Sequence, residues 1–127
     1  LTQYTGALKN MMGVCTRETN VYFHLGGPDK NDPDFLGQCI ADVNLLRQAD
    51  LIVADATSFI TTGGPVGPGE IKQIDKVVAG TDLVAVDALC STYLDLVPEE
   101  INMITLSAQA GLGEIDYKKL NIDEIKV

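Results

Sequence analysis

The sequence predicts an α/β fold, in which a mixed or largely parallel sheet is layered against flanking helices. Segments typical of strands and segments with helical spacing of apolar residues alternate along the chain. The apolar run "LIVADA" (51–56) is typical of a strand buried on both faces. The stretch "TTGGPVGPGE" (61–70) follows it, and its glycines and prolines predict a shaped turn.

Length and charge narrow the class of protein. A chain of 127 residues with 46% hydrophobic residues suits a single domain, residues 1–127, with one core. Nine basic and 18 acidic residues give a net charge of −9, which argues against nucleic acid or an anionic membrane as the main partner. The apolar runs are too short to cross a bilayer and no leader stands at the start, so we expect a soluble, cytoplasmic protein.

The N-terminal quarter of the chain predicts a helix and then a short strand. Apolar residues recur at helical spacing before Gly13, at Leu1, Tyr4, Leu8, Met11 and Met12. Because the chain opens inside this helix without an initiator methionine, we expect it to be a fragment of a larger protein. After a loop, "VYFHL" (21–25) reads as a short strand.

The middle of the chain predicts a capped helix before the buried strand. Asp32 is the expected N-cap and Pro33 the first helical residue. The core face of this helix recurs at Leu36, Cys39, Ile40, Val43 and Leu46. The strand "LIVADA" follows, with Asp55 at its carboxyl end.

The last third of the chain predicts two more strands and two more helices. A short strand is expected at residues 76–79, and Thr81 or Asp82 should cap a mostly apolar helix that reaches Tyr93 or Leu94. A further helix should begin near Pro98 and stop at Gly111. The final "NIDEIKV" (121–127) alternates like an edge strand.

The glycine-rich turn is also a candidate ligand site. Ligands of open α/β sheets bind beyond the carboxyl ends of strands, and backbone amides in such turns can converge on an anion, here at Gly63, Gly64 and Gly67. The stretch matches neither the phosphate loop nor the dinucleotide fingerprint, so nucleotide binding is not indicated. The alternative is a rigid turn with a purely structural role.

Two carboxylates and one histidine are further candidates for a ligand site. Asp87 has apolar neighbours one turn away on either side, so it should be buried and paired. Asp55 could accept backbone amides or reach a ligand, but both acids could instead cap local backbone. His24, the only histidine, could join them as a ligand or fill a structural role.

Lys9 and Asn10 could present a cation and an amide to an anionic group just before Gly13, although Lys9 could equally be a solvated helix residue.

The cysteines do not predict a metal centre in this chain. Cys15, Cys39 and Cys90 are far apart and form no C-x-x-C pair, a spacing that fits neither a zinc ribbon nor a self-contained iron–sulfur motif. We expect free thiols, mostly buried, and no cofactor held within this fragment.

Six segments in order resemble one family, the domain of unknown function 362: "TGALKNMMG", "FHL", "LIVADA", "GGPVGPGE", "GTDLVAVDA" and "AGLG". The resemblance spans nearly the whole chain, and it implies that the chain corresponds to the C-terminal part of a larger protein. Carried over position by position, the family pattern falls on Lys9, Asn10, Gly13, His24, Asp55, Gly64, Pro65, Gly67, Asp82, Asp87, Gly111 and Gly113. It implies an association with iron–sulfur proteins, in which a ferredoxin-like module with a 4Fe-4S cluster would lie in a part of the protein absent here.

Two functions therefore stand as expectations. The first is a redox-linked domain, acting with an iron–sulfur module, that binds a small anionic or metal-associated ligand at the glycine-rich loop. The second is a noncatalytic α/β module that binds a partner or serves a structural role. The first requires Asp55, His24, Asp87 and residues 63–69 to meet in one solvent-reached pocket. Their separation would favour the second.

Overall fold

A computed structural model describes residues 4–64 and 67–126. Within them the chain forms five α-helices and one hairpin of two strands. In chain order these are α1 Ala7–Asn10, α2 Arg17–Leu25, α3 Pro33–Leu46, β1 Ile52–Ile60, β2 Ile71–Gly80, α4 Leu83–Thr92 and α5 Asn102–Gln109. Short 3-10 helices lie at Met11–Val14, Pro98–Glu100 and Tyr117–Lys119. No helix among the described residues is both long and apolar enough to cross a membrane.

Helix α4 lies at the centre of the fold. Eight of its ten residues are buried, and it contacts α1, α5 and both strands. Helices that are apolar nearly all round are typical of core positions, as the sequence predicted for this segment. Asp82 caps the helix by accepting the N–H of Ala85 at 2.8 Å, which confirms one of the two predicted caps.

Helix α3 follows most of its sequence pattern, but Leu46, which was predicted on its core face, is 87% exposed because it lies at the end of the helix. Asp32 accepts the N–H of Phe35 at 2.8 Å and Pro33 is the first helical residue, as predicted. The buried face of α3 packs against α5. At Gly37 the two helices approach so closely that an added Cβ would lie 3.2 Å from the backbone nitrogen of Met103.

The strands pair as an antiparallel hairpin. The register runs from Ile52 opposite Gly80 to Ile60 opposite Ile71, with an irregularity between Ala56 and Ser58. The combination of helices and strands agrees with the predicted class, but among the described residues no parallel or mixed sheet is present. The connection over residues 61–70 explains this, because parallel strands need a longer crossover.

The segment 21–25 was predicted as a strand and is helical. It forms the second half of α2, which Thr16 caps by accepting the N–H of Thr19 at 3.2 Å. Glu18 in the first turn favours the helix further. One buried residue, Phe23, anchors the helix to the core. A run of five mostly apolar residues is too short for its periodicity to distinguish a strand from a helix.

Strand β1 is not buried on both faces, which corrects the prediction for "LIVADA". Ile52 and Ala56 are buried, whereas the side chain of Val53 is 64% exposed. The helices cover only one face of the hairpin, and the other face is open. Asp55 lies in the middle of β1 and not at its carboxyl end.

The chain ends differ from expectation as well. The N-terminal helix is short, and a 3-10 helix carries the chain past Gly13, while Leu1 lies outside the described residues. Strand β2 begins at Ile71, five residues earlier than predicted. Residues 121–126 form no strand and are exposed, and Lys76 Nζ on β2 lies 3.2 Å from Glu124 Oε1 in this tail.

Candidate functional site

A cleft of about 570 Å³ opens between β1, the N-terminal segment and α4. One wall is formed by residues 51–56 and 59, and the opposite wall by residues 4–7, 10 and 11. Leu83, Cys90, Tyr93 and Leu94 line it from α4 and the residues just after it. Clefts of this size and mostly apolar lining are typical of binding sites in proteins.

The cleft runs along the edge of β1 that faces away from β2. Six consecutive residues, 51–56, line it, whereas no described residue of β2 does. Within the described chain, β1 pairs with β2 alone, so its second edge has no strand partner. Backbone N–H and C=O groups on such an edge can pair with another extended segment.

Asp55 lies on this edge and is exposed. Its Oδ1 accepts the N–H of Thr57 at 2.8 Å, at the position where the register of the hairpin is irregular. Hydrogen bonding from the side chain and the backbone of Thr57 lowers the pKa of Asp55. The carboxylate is therefore ionised at neutral pH, and it both supports the bulge and gives the cleft a negative charge.

Asp87 lies in the core, where it caps α1 from a distance. Its Oδ1 accepts the N–H of Ala7 at 2.7 Å and the hydroxyl of Tyr4 at 3.2 Å, and its Oδ2 accepts the N–H of Leu8 at 2.9 Å. Gly6, the residue before the helix, has no side chain to do this. An added Cβ at Gly6 would collide with Tyr4 and Asp87.

The expectation that Asp87 is buried and paired is therefore confirmed. Its contacts fix the N-terminal wall of the cleft.

Burial controls the protonation of the groups beside Asp87. Loss of hydration raises the pKa of Asp87 itself, although its three donors act in the opposite direction. Burial also raises the pKa of Tyr4 and raises the pKa of the Cys90 thiol to about 11. Tyr4 and Cys90 both line the cleft, and at neutral pH both are protonated.

The raised pKa of Asp87 predicts how stability depends on pH. The carboxyl group of Asp87 binds its proton more strongly in the folded state than in the unfolded state. Protonation of Asp87 therefore stabilises the fold fully below about pH 4, and this stabilisation is lost as the pH rises through the folded pKa. We expect the excess stability of the wild type over Asp87→Asn to be largest at low pH and to shrink toward neutrality. Urea unfolding of both proteins from about pH 3.5 to 7 measures this. An excess that grows with pH would contradict it.

His24 lies on α2 and is not among the residues that line the cleft. Its Nδ1 is 2.7 Å from Oδ1 of Asn31, so the ring joins α2 to the turn that follows. Lys9 is half-buried on α1, and burial lowers its pKa. Asn10, at the end of the same helix, is exposed and lines the cleft.

The glycine-rich loop forms the tip of the hairpin, which confirms it as a shaped turn. Gly63 and Gly67 have positive φ values of 65° and 67°, and the N–H of Gly67 donates to the carbonyl of Gly63 at 3.1 Å. The Thr62 hydroxyl accepts the N–H of Glu70 at 2.9 Å. Gly64 is exposed, and Pro65 lies outside the described residues. The loop glycines, 63, 64 and 67, are not among the residues that line the cleft.

Comparison with family models decides the family. The model described as "Domain of unknown function (DUF362)" matches residues 1–92. The chain belongs to this family. The DUF362 match ends at Thr92, the last residue of α4, and so includes β1, β2 and nearly all of the cleft. Comparisons with curated proteins and with solved structures gave no match.

The predicted site residues of this DUF362 chain do not meet around one pocket. Asn10 and Asp55 line the cleft, Asp87 lies in the core beside its N-terminal wall, and His24 and the loop glycines lie elsewhere. The convergence that the first function requires is therefore not seen among the described residues. Ligand binding by any single one of these residues stays a prediction.

Sequence reasoning missed most of the cleft. Tyr4 and Cys90 were read only as a helix position and a buried thiol, and Phe59 and Tyr93 were given no role. The open strand edge has no motif of its own. The sequence signal for an open edge is that residues 52–60 are rich in β-branched residues and carry a single charge, because charged residues are what normally protect a strand edge from pairing.

The described residues contain no group of three or more His, Cys, Asp or Glu side chains that could hold a metal ion. The three cysteines are free, as predicted, with Cys39 and Cys90 buried and Cys15 only partly so. The DUF362 match does not bear on the iron–sulfur association that the resemblance implies.

Proposed function

We propose that this DUF362 chain is a noncatalytic binding module, and that its cleft takes up an extended protein segment along β1. The observation behind the proposal is the open backbone edge of β1 beside an apolar floor. Addition of a strand to such an edge is a common way to bind peptides, because the main chain supplies hydrogen bonds and the floor supplies apolar contacts. The added segment would extend the hairpin to a three-stranded sheet.

The two edges of the hairpin differ in a way that favours β1. Strand β2 bears several polar and charged residues, and two of its lysines form ion pairs outside the strand, Lys72 with Asp95 and Lys76 with Glu124. Charges of this kind protect an edge from pairing. The only charged residue of β1 is Asp55.

The straight part of the edge sets the length of the bound segment. Residues 52–56 precede the irregularity at Thr57, which twists the strand. Five residues in extended conformation span about 17 Å. A segment of five to seven residues therefore matches the edge.

The chemistry of the cleft favours binding over catalysis. Nucleophilic catalysis needs an activated group, and the Cys90 thiol has its pKa raised to about 11 and lies buried. Asp87 is fully buried, and its carboxylate is occupied by three donors from the N-terminal segment. Both groups serve packing in this arrangement.

A redox-linked role with a small ligand is the second candidate. The observation that favours it is that two predicted ligand residues, Asn10 and Asp55, line the same cleft. The negative charge of Asp55 suits a metal-associated or cationic ligand better than an anionic one. An iron–sulfur partner module is implied by the family resemblance alone.

An NMR titration tests the binding proposal. The probe is an acetylated, amidated heptapeptide with valine at odd positions and threonine at even positions, added to the ¹⁵N-labelled chain. We expect shifts concentrated at residues 51–56 and lost when alternate peptide nitrogens are methylated, because methylation removes the N–H donors. Absence of shifts, or shifts that methylation does not change, would contradict strand addition.

Matched variants locate the binding surface. Val53 and Val77 are both 64% exposed, but only Val53 lines the cleft. Val53→Ala should weaken peptide binding by about fivefold through lost apolar contact, whereas Val77→Ala on β2 should leave it unchanged. An equal effect of both substitutions would place the peptide on the open face of the hairpin and not in the cleft.

A further inference from the structure

The charge of the cleft identifies the class of segment that it would bind. Resting on the proposed strand addition, we propose that the segment is an alternating apolar and basic one, with a lysine or arginine beside Asp55. Asp55 is the only formally charged side chain among the described residues that line the cleft. A basic partner residue is the one that complements it.

The carboxylate of Asp55 is available to such a residue. It is exposed, and hydrogen bonds from Thr57 keep it ionised and fixed beside the edge. Asp55 takes part in none of the ion pairs found among the described residues, whereas the two lysines of β2 are paired with Asp95 and Glu124. An ionised acid on an open strand edge, next to apolar residues, therefore lacks a cation that a partner could supply.

The pleat of β1 determines the pattern of the segment. Ile52 and Ala56 point toward the covered face, whereas Val53 and Asp55 belong to the opposite, exposed face. Residues directly opposite each other on adjacent strands point to the same face of the sheet, so a basic residue opposite Asp55 projects to the exposed face. Its two sequence neighbours then project toward the covered face, where apolar side chains fit.

A second copy of this chain is a poorer occupant of the same edge. Antiparallel pairing of β1 with its own copy would bring two Asp55 carboxylates to the same short stretch of sheet. Each copy also has a net charge of −9, so the two would repel each other. A basic segment of another protein removes both penalties.

The experiment uses three heptapeptides that differ only at position 4. One has the threonine of the neutral valine–threonine peptide, one has lysine and one has glutamate. We expect the lysine peptide to bind the wild type about three- to tenfold more tightly than the threonine peptide, and the glutamate peptide to bind more weakly than either. The lysine preference should shrink as salt is raised from about 50 to 500 mM, because the pair is exposed.

A charge-matched pair of variants assigns the preference to Asp55. Asp55→Asn should remove the difference between the lysine and glutamate peptides. Asp75→Asn changes the net charge by the same amount on β2, outside the cleft, and should retain that difference. Dispersed amide spectra of both variants confirm folding, and the salt dependence of the wild type tests the proposal independently of any variant.

The outcomes separate the two proposals. If the neutral peptide binds at residues 51–56 but lysine at position 4 gives no gain, the basic segment is wrong and strand addition stands. If no peptide shifts these residues, strand addition is wrong as well. Concentration-dependent shifts at residues 51–56 without peptide would show that a second copy occupies the edge, and would overturn the basic segment.

Discussion

Asp87→Ala is expected to lower the free energy of unfolding by about 3 kcal/mol, since it leaves three donors without their acceptor in or near the core. The donors are the hydroxyl of Tyr4 and the backbone N–H groups of Ala7 and Leu8. The two N–H groups belong to the first turn of α1, and Gly6 at its N-cap has no side chain to accept them. Urea unfolding at neutral pH, followed by circular dichroism, gives the difference directly.

Tyr4→Phe is the control for this experiment. It removes one donor and leaves the carboxylate with its two backbone partners, so we expect a loss of about 1 kcal/mol. A loss below 1 kcal/mol for Asp87→Ala would show that the first turn of α1 does not depend on this carboxylate. Unchanged stability together with weaker peptide binding would instead indicate a direct role in the cleft.

Asp82→Ala should have the second largest effect, about 2 kcal/mol, because the carboxylate holds two parts of the chain together. Its Oδ1 caps α4 through the N–H of Ala85, and its Oδ2 accepts the N–H of Glu114 at 2.9 Å. An added Cβ at Gly113 would collide with this carboxylate. Thermal and urea unfolding both measure the loss.

Asp32→Ala provides a matched control. Asp32 caps α3 through the N–H of Phe35 at 2.8 Å, the one backbone N–H that its side chain accepts within the described part of the chain, so we expect its loss to cost about 1 kcal/mol. The difference between the two losses of stability measures the contribution of the hydrogen bond that joins the N–H of Glu114 in the C-terminal segment to Asp82. Equal losses would show that the bond to Glu114 adds nothing.

These two acids show why motif positions of this family need not mark a binding site. Asp82 and Asp87 both belong to the resemblance, yet both are occupied by backbone donors of their own chain. Gly113 provides space for the carboxylate of Asp82. Of the three acids in the resemblance, Asp55 is the one that is exposed. The search for a partner should therefore begin at β1.

Features that depend on neighbouring residues could be predicted from the sequence. The caps at Asp32 and Asp82 and the helices that follow them were found because a cap and its donor lie three residues apart. The turn after β1 was found because glycine and proline restrict the backbone locally. The burial of Asp87 followed from its apolar helical neighbours, but its partners did not.

The sequence by itself determined where α3 and α4 begin, that α4 is mostly apolar, and that residues 61–70 turn. Only the tertiary structure decided that the strands pair antiparallel, that residues 21–25 are helical, and that Asp87 meets Tyr4, 83 residues away in the chain. Helix caps and turns depend on contacts a few residues apart, which a local pattern contains. Strand edges and buried partners depend on contacts between distant segments, which exist only once the core has formed.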